Sequence, residues 1–370
     1  MARGREYAQL VDSSKIGLFK DVMKGVSQAR RHFPEARDCF VESSSHSGGF
    51  EYRGPHRYKV FGTTEGLGNK NWIAEWMYQQ TGDPLHFLGI GGDTALMAVN
   101  DLIANGAMPV IYLDEVAAAD SEWFTDTKRA NVIGKSYYDI CSEVRMALPA
   151  GESPALRYLV RAKKPVKSAP IMSGAVIGII APVDRQVPDT VMSGDSIIGV
   201  YASGLHCNGV SIVIKRAMAL PYKFLTRLPN ERTLGAEALI RTTSYVKLVE
   251  SLLNRRIKVH KLLPGTGDGV AKLGTIRGDL TYRIHFWPKM PLIFEFMHEI
   301  GMSMYDLLTT FNCGIGYYVI VPKEEEDRTL EVVELNGYRA AVVGRVEEGM
   351  RGVVFGPQKD LWLPHLTSPS

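Results

Sequence analysis

The sequence predicts an α/β protein of two domains, on three observations. The chain has 370 residues, more than one hydrophobic core ordinarily organises. Strand-like runs of branched and aromatic residues alternate with helix-like periodicity along most of it. A polar, turn-forming stretch from Pro182 to Gly194, with Pro188-Asp189 and Ser193-Gly194-Asp195, separates two such alternations. The expected domains are therefore 1–185 and 186–370.

The elements justify this in order. The early segment holding Lys24 and Ser47-Gly48-Gly49-Phe50 is expected to be flexible. Tyr58 to Thr63 is rich in β-formers and runs into the glycine-punctuated loop Glu65-Gly66-Leu67-Gly68-Asn69-Lys70, a strand-to-loop junction. Leu96, Val99, Leu102 and Ile103 have helical spacing, which predicts a helix over Thr94–Asn105 with Asp93 as N-cap and Gly106 as stop. Pro109–Leu113 reads as a buried strand, Ser121–Met146 as one long helix, and Ile171–Ala181 as a strand. Beyond the divide come a strand at Ser196–Ala202 and helices near Val210–Ala219 and Glu237–Leu253. A strand at Ile315–Val321, a helix near Glu324–Asn336 and a strand at Ala340–Val346 complete the series.

Composition narrows the function. Hydrophobic residues at 45% and charged residues at 22% are those of a globular chain. With 43 Lys+Arg against 40 Asp+Glu the net charge is only +3, which argues against nucleic acid or a membrane surface as partner and for small molecules. The basic run Arg161, Lys163, Lys164 and Lys167 is either a solvated loop or a substrate lid. Four scattered cysteines without a CxxC suggest neither zinc nor a disulfide framework, and fit a reducing cytoplasm. No run of about 18 apolar residues occurs, and the opening residues lack a signal-peptide core, so secretion is not expected. The absence of GxGxxG after the first strand, and of GxxxxGK[ST] anywhere, counts against Rossmann and P-loop nucleotide sites.

Carboxylates stand at element ends in the first domain: Glu65, Asp93, Asp101, Asp114 with Glu115, and Glu152. A hard cation such as Mg²⁺ binds through a few carboxylates and substrate phosphates, so this pattern suits a nucleotide triphosphate site. On local grounds Asp93 reads first as an N-cap. In the second domain Ser203-Gly204-Leu205-His206-Cys207-Asn208-Gly209 links a strand to a helix and offers hydroxyl, imidazole and amide groups, although His206 also reads as a structural loop residue and Asn208 as a helix cap. Phe311-Asn312-Cys313-Gly314-Ile315-Gly316 reads first as a tight turn, with Cys313 a packing residue.

Read together and in order, these segments resemble the aminoimidazole ribonucleotide synthetases, the phosphoribosylformylglycinamidine cyclo-ligase family, over nearly the whole chain. Tyr7, Val11-Asp12, Lys24-Gly25-Val26 and Gly48-Gly49-Phe50 are similar to that family's opening. Gly92-Asp93-Thr94-Ala95-Leu96-Met97-Ala98-Val99-Asn100-Asp101-Leu102, then Gly106-Ala107, Pro109 and Leu113-Asp114, form the most specific block. The loops 203–209 and 310–316 resemble its Ser-Gly-Pro-His-Ser-Asn-Gly and Thr-Phe-Asn-Cys-Gly-Val-Gly.

The resemblance implies a PurM-like two-domain fold, with an N-terminal mixed sheet completing a barrel in a homodimer and a C-terminal α/β sandwich. It implies ATP and Mg²⁺ as cofactors and formylglycinamidine ribonucleotide as substrate. Catalytic roles fall on Lys24, His206 and Asn208, and metal roles on Glu65, Asp93, Asp114 and Glu152. ATP or substrate contacts fall on Gly48, Gly49, Phe50, Gly66, Gly68, Lys70, Asn100, Asp101, Ser203, Gly204 and Asn312.

The sequence also departs from the pattern. Glu65 and Asn69 replace Asp and Thr of Asp-Gly-Val-Gly-Thr-Lys; Arg241-Thr242-Thr243 stands where the family has Pro-Thr-Arg; and Pro264-Gly265-Thr266-Gly267-Asp268-Gly269 replaces Thr-Gly-Gly-Gly. Alternatives are another ATP-using member of the superfamily acting on a different amide or phosphoacceptor, or an inactive paralogue. Ser44-Ser45-His46-Ser47-Gly48-Gly49 lacks the reactive Cys of a selenophosphate synthetase, and Thr367-Ser368-Pro369-Ser370 lacks the terminal Cys of a hydrogenase-maturation factor.

Overall fold

A computed structural model describes residues 12–29, 36–44, 47–276 and 278–364. Tyr7, Val11 and Thr367-Ser368-Pro369-Ser370 lie outside the described residues. The chain divides into two compact units, Met1–Leu102 with Met108–Val183, and Ile103–Ala107 with Asp184–Ser370. The break falls two residues before the expected one, and the short segment 103–107 belongs to the second unit, where the Asn105 carbonyl accepts the Val187 N–H at 3.1 Å.

The first unit contains β1 (Cys39–Ser43), β2 (Gly48–Tyr52), β3 (Lys59–Gly66), β4 (Met108–Ala117), β5 (Ala147–Glu152) and β6 (Ile171–Ile180). Its helices are α1 (Ser13–Ala29), α2 (Lys70–Thr81), α3 (Ile90–Leu102) and α4 (Thr127–Val144). A mixed sheet runs β3-β6-β4-β5, antiparallel except for the β4/β5 pair. Strand periodicity gives it two unlike faces. One carries Tyr112, Asp114, Val116, Met172 and Val176, all buried beneath the helices, with α3 lying on β3 and β6. The other carries Gly62, Thr64, Ile171, Ala175 and Ile177, half-buried or exposed. The β1–β2 hairpin covers only part of that second face, packing Val41, Phe50 and Tyr52 on Val110, Ile111, Ala147 and Ile179.

Three expectations are corrected here. Gly48-Gly49-Phe50 is strand β2 rather than a flexible loop: a Cβ on Gly48 would sit 2.3 Å from the Pro149 ring, so the glycine lets the hairpin approach β5. The helix expected from Thr94 begins at Ile90, and the Asp93 N–H already makes the helical bond to the Gly89 carbonyl, so Asp93 is not the N-cap. The long helix Ser121–Met146 is broken by Asp126, whose extended backbone lets its carboxylate accept the Arg129 N–H at 3.1 Å and start α4 afresh.

Every residue from Ile90 to Asn100 is buried, which accounts for the nearly continuous apolar character of α3. The helical run Pro84–Asn105 is apolar and long enough to cross a membrane, yet 78% of that stretch is buried inside the protein, as a core helix is. Helix α1 docks through Ile16, Phe19, Met23 and Val26, spaced to form one stripe, against α4. Lys15–Glu122 and Lys20–Glu152 ion pairs, at 2.6 and 3.0 Å, flank that stripe.

The second unit is built on a seven-stranded sheet, with β7 (Ser196–Tyr201), β8 (Lys261–Pro264), β9 (Leu280–Ile284), β10 (Ile315–Val321), β11 (Ala340–Glu348), β12 (Gly352–Phe355) and β13 (Leu361–Pro364) in the order β13-β12-β9-β11-β7-β10-β8. Only β12/β9 is parallel. Every residue of β10 is buried, as its unbroken IGYYVIV run requires. The helices are α5 (Val210–Ala217), α6 (Leu234–Ala238), α7 (Val246–Asn254), α8 (Leu292–Glu299), α9 (Met304–Thr310) and α10 (Glu326–Leu335). The helix expected over Glu237–Leu253 is thus two, interrupted where Thr242, Thr243 and Ser244 offer side-chain oxygens that compete with helical hydrogen bonds.

Candidate functional site

In the first unit the chemistry gathers between the sheet and the starts of α2 and α3. β3 ends at Gly66; Leu67 is buried and its N–H donates to the Met172 carbonyl at 2.9 Å, while Gly68 takes φ +71° to turn the chain into α2. Lys70, the first residue of α2, is fully buried and meets Asp93 in the first turn of α3 at 2.8 Å. Asn100 lies buried two turns further along α3, followed by half-buried Asp101.

Across the inward face of the sheet one register row reads Glu65, Gly174, Asp114, Gly151. The two carboxylates thus alternate with two residues lacking side chains. A Cβ on Gly151 would fall 1.8 Å from Asp114 Oδ1, and one on Gly174 would fall 2.2 Å from Tyr112 Oη. Among the described residues both of those oxygens are buried and have no hydrogen-bond partner. Burial raises the Asp114 carboxyl to about 7, with the charge of Glu152 adding to the rise. The two glycines thus make room for the Asp114 carboxylate and the Tyr112 hydroxyl themselves, and a carboxylate oxygen is the donor type that a hard cation takes.

The four expected metal carboxylates stand in different surroundings. Asp93 is ion-paired with Lys70. Glu152 pairs in register with Glu115, whereas Asp114 pairs with Gly151, so Glu152 belongs to the opposite face, where its carboxylate meets Lys20 at 3.0 Å. Among the described residues no group of three or more His, Cys, Asp or Glu is arranged to hold a metal ion. Lys24 stands on the exposed side of α1, paired with Asp21 at 3.0 Å, and the structure does not bring it to these residues. Gly48, Gly49 and Phe50 lie with the hairpin rather than on the inward row.

In the second unit the 203–209 loop is held from below by Asn312. Its Nδ2 donates to the carbonyls of Gly204 at 3.0 Å and Leu205 at 3.3 Å, and its Oδ1 accepts the Gly314 N–H at 2.8 Å. The Asn312 amide is thus engaged in holding the loop. Ser203 Oγ, at the exposed start of the loop, donates to the Arg241 carbonyl at 2.6 Å. His206 is buried with φ +58°, its ring 6.4 Å from that of Tyr245, whose hydroxyl donates to the Tyr201 carbonyl. Gly209, not Asn208, caps α5. That leaves the Asn208 amide facing the 264–269 loop, its Oδ1 4.0 Å from where a Gly267 Cβ would be and its buried Nδ2 without a partner among the described residues. Cys313 is buried, and burial pushes its thiol far up, so it packs as expected.

Comparison with known proteins agrees with both halves. The AIR synthase related protein N-terminal domain matches residues 53–180, and its C-terminal domain matches residues 192–356. A phosphoribosylformylglycinamidine cyclo-ligase from Synechococcus sp. (strain CC9902) is 32% identical, covering 70% of this chain and 74% of its own. Another from Methanococcus maripaludis (strain S2) is 29% identical over 78% and 77%. Among solved structures, a thiamine-monophosphate kinase from Stenotrophomonas maltophilia K279a (16% identity, TM-score 0.60, 89% of this chain and 94% of that one) shares the fold. So does the hydrogenase maturation protein HypE in complex with ATP (17% identity, TM-score 0.58, 87% and 88%). With the two domain families matched in order and a relative above 30% identity over most of its length, the chain belongs to the AIR synthase, or phosphoribosylformylglycinamidine cyclo-ligase, family.

Proposed function

We propose that the chain is an ATP-dependent cyclo-ligase that closes formylglycinamidine ribonucleotide to aminoimidazole ribonucleotide with release of ADP and phosphate. Family membership supports the reaction class, and the single structural observation behind a nucleotide site is the inward row in which Glu65 and Asp114 flank Gly174. The fold is one in which a relative of low identity, HypE, is found with ATP.

Both reacting groups belong to one substrate, so the enzyme's task is to orient, neutralise and move protons. Glu65 and Asp114 would hold Mg²⁺, which when bound supplies countercharge for the transferring phosphoryl group. Phosphorylation of the formyl amide oxygen converts it to a leaving group, and attack by the amidine-side nitrogen closes the ring. Asn208 offers a buried amide donor to that oxygen, and His206 is the proton handler, imidazole being the side-chain type most used for proton transfer. Asn312 fixes the loop that carries both. The four cysteines are free and buried, which suits the reducing cytoplasm in which such a pathway would operate.

The assembly proposed is an isologous homodimer through the outer face of the first unit's sheet. Val60 and Ile171 are more than half exposed there, and Ala175 and Ile177 are half-buried beside them, an apolar face that a second copy would cover. Incubation with formylglycinamidine ribonucleotide, ATP and Mg²⁺ tests the activity. Formation of aminoimidazole ribonucleotide supports it, and ATP binding without any product refutes it.

A further inference from the structure

The second unit contains a cleft of about 550 Å³ that shares only Ser203 with the residues assigned above. Its walls come mainly from Tyr201 and Ser203 at and just beyond the end of β7, the Pro288–Leu292 segment leading into α8, and Tyr338-Arg339 before β11, with Thr243 and Gly314 between them. Its lining includes two cations, Lys289 and Arg339, and no Asp or Glu. The size lies within the range of small-ligand pockets, and one-sided charge in a concave site raises the local concentration of anions.

The two cations are differently held. The Arg339 guanidinium lies over the Tyr201 ring, 5.0 Å from its centroid, and has no ion-pair partner among the described residues. Stacking on a ring occupies the flat face of a guanidinium and leaves its edge, with the N–H fork, for a planar or tetrahedral oxyanion. Lys289 is 80% exposed in its side chain and reaches Glu295 only at 3.8 Å, a surface contact worth little. Serine and threonine hydroxyls, Ser203 and Thr243, add short polar groups, and Pro288, Met290 and Pro291 add an apolar wall.

We infer that this cleft is a binding site for a small phosphomonoester, with Arg339 as the bidentate partner of the phosphate and Lys289 as a second countercharge. Two monocations match an anion of about −2, which a phosphomonoester approaches at neutral pH and a single carboxylate does not. The apolar wall and the tyrosines suit an uncharged ring attached to that phosphate. Two sources share this chemistry: the ribose phosphate of the proposed substrate, which rests on the cyclo-ligase reading, or a separate phosphorylated metabolite, which does not.

Calorimetric titration of the full chain with ribose 5-phosphate tests the site. Saturable binding is expected, weakened roughly tenfold or more in Arg339→Gln and by added salt, with free ribose not binding and the melting temperature of the variant unchanged. Lys289→Gln should weaken it less. Steady-state kinetics then separates the sources. Competitive inhibition by ribose 5-phosphate, with KM raised at constant kcat in Arg339→Gln, identifies the substrate's own phosphate. Binding lost in the variant with KM unchanged identifies a separate metabolite. Absence of saturable ribose 5-phosphate binding to the parent protein, or binding equal in parent and Arg339→Gln, overturns the proposal. A chain that binds ribose 5-phosphate through Arg339 but forms no aminoimidazole ribonucleotide would refute the cyclo-ligase reading alone.

Discussion

Lys70 Nζ and Asp93 Oδ2 lie 2.8 Å apart with neither side chain exposed to solvent. Two helix starts therefore carry opposite charges into the same interior. Asp93 suits the first turn of α3, where the helix dipole favours an anion; Lys70 at the start of α2 faces the unfavourable sign and is held there by its partner.

Removing one member of that pair takes a buried ion-pair partner from the other. Asp93→Asn is expected to cost about 3–5 kcal/mol of stability, where an exposed N-cap would cost about 1. Lys70→Met together with Asp93→Leu should recover a large part of the loss, because neither charge then remains buried. Urea unfolding of the two single variants and the double checks this; additive losses would show that the pair is not the coupled unit.

Asp114 gives a pH signature. Burial raises its carboxyl from the ordinary range to about 7, so the folded state holds a proton that the unfolded state releases between roughly pH 4 and 7. Its contribution is fully present below the unfolded value and is lost as pH rises to 7. Metal-free Asp114→Asn should therefore escape this decline, gaining on the parent by about 1–4 kcal/mol between pH 4 and pH 8. Mg²⁺ competes with the proton, so its affinity for the parent should rise over the same window and be lost in the variant. Chelator-treated unfolding curves and Mg²⁺ titrations at pH 5.5 and 8 measure both.

In the proposed reaction Asn312 would act through the loop that it clamps. Asn312→Ala removes two donors and one acceptor, and should cost about 1–3 kcal/mol while raising KM for the ribonucleotide and leaving ATP affinity unchanged. A parallel loss of ATP affinity would return Asn312 to the nucleotide site.

The proposed homodimer is tested at the outer sheet face. Ile171→Asp with Ile177→Asp places charges on that face without touching the inward row; a dimeric parent protein is expected in sedimentation at micromolar concentration, and a monomeric variant. A parent protein already monomeric at that concentration would remove the barrel-like dimer.

Much of this was legible in the chain. The helical spacing of Leu96, Val99, Leu102 and Ile103 announced the helix, and the unbroken IGYYVIV run announced β10 as an all-buried strand. What was hidden depends on residues distant in sequence. Gly48-Gly49 reads as loop until Pro149 supplies the reason for a glycine in a strand. Asp93 reads as a cap until the helix is seen to begin at Ile90, and its buried contact with Lys70 is one that spacing alone does not contain. Glu152 lies one strand position out of phase with Asp114, a fact of the β4/β5 register that spacing alone does not contain. The break at Asp126 did leave a signal, an Asp three residues before Arg129 inside an otherwise helical run. The anion cleft left none, since Lys289 and Arg339 are brought together only by the fold.

The most direct test of the cyclo-ligase reading follows one oxygen atom. Formylglycinamidine ribonucleotide labelled with heavy oxygen in its formyl group would be turned over with ATP and Mg²⁺, and the phosphate and nucleotide products analysed by mass spectrometry. We expect the label in inorganic phosphate, with ADP and aminoimidazole ribonucleotide formed one for one, because the amide oxygen leaves carrying the transferred phosphoryl group. Label appearing in water, or ADP released without aminoimidazole ribonucleotide, would contradict it.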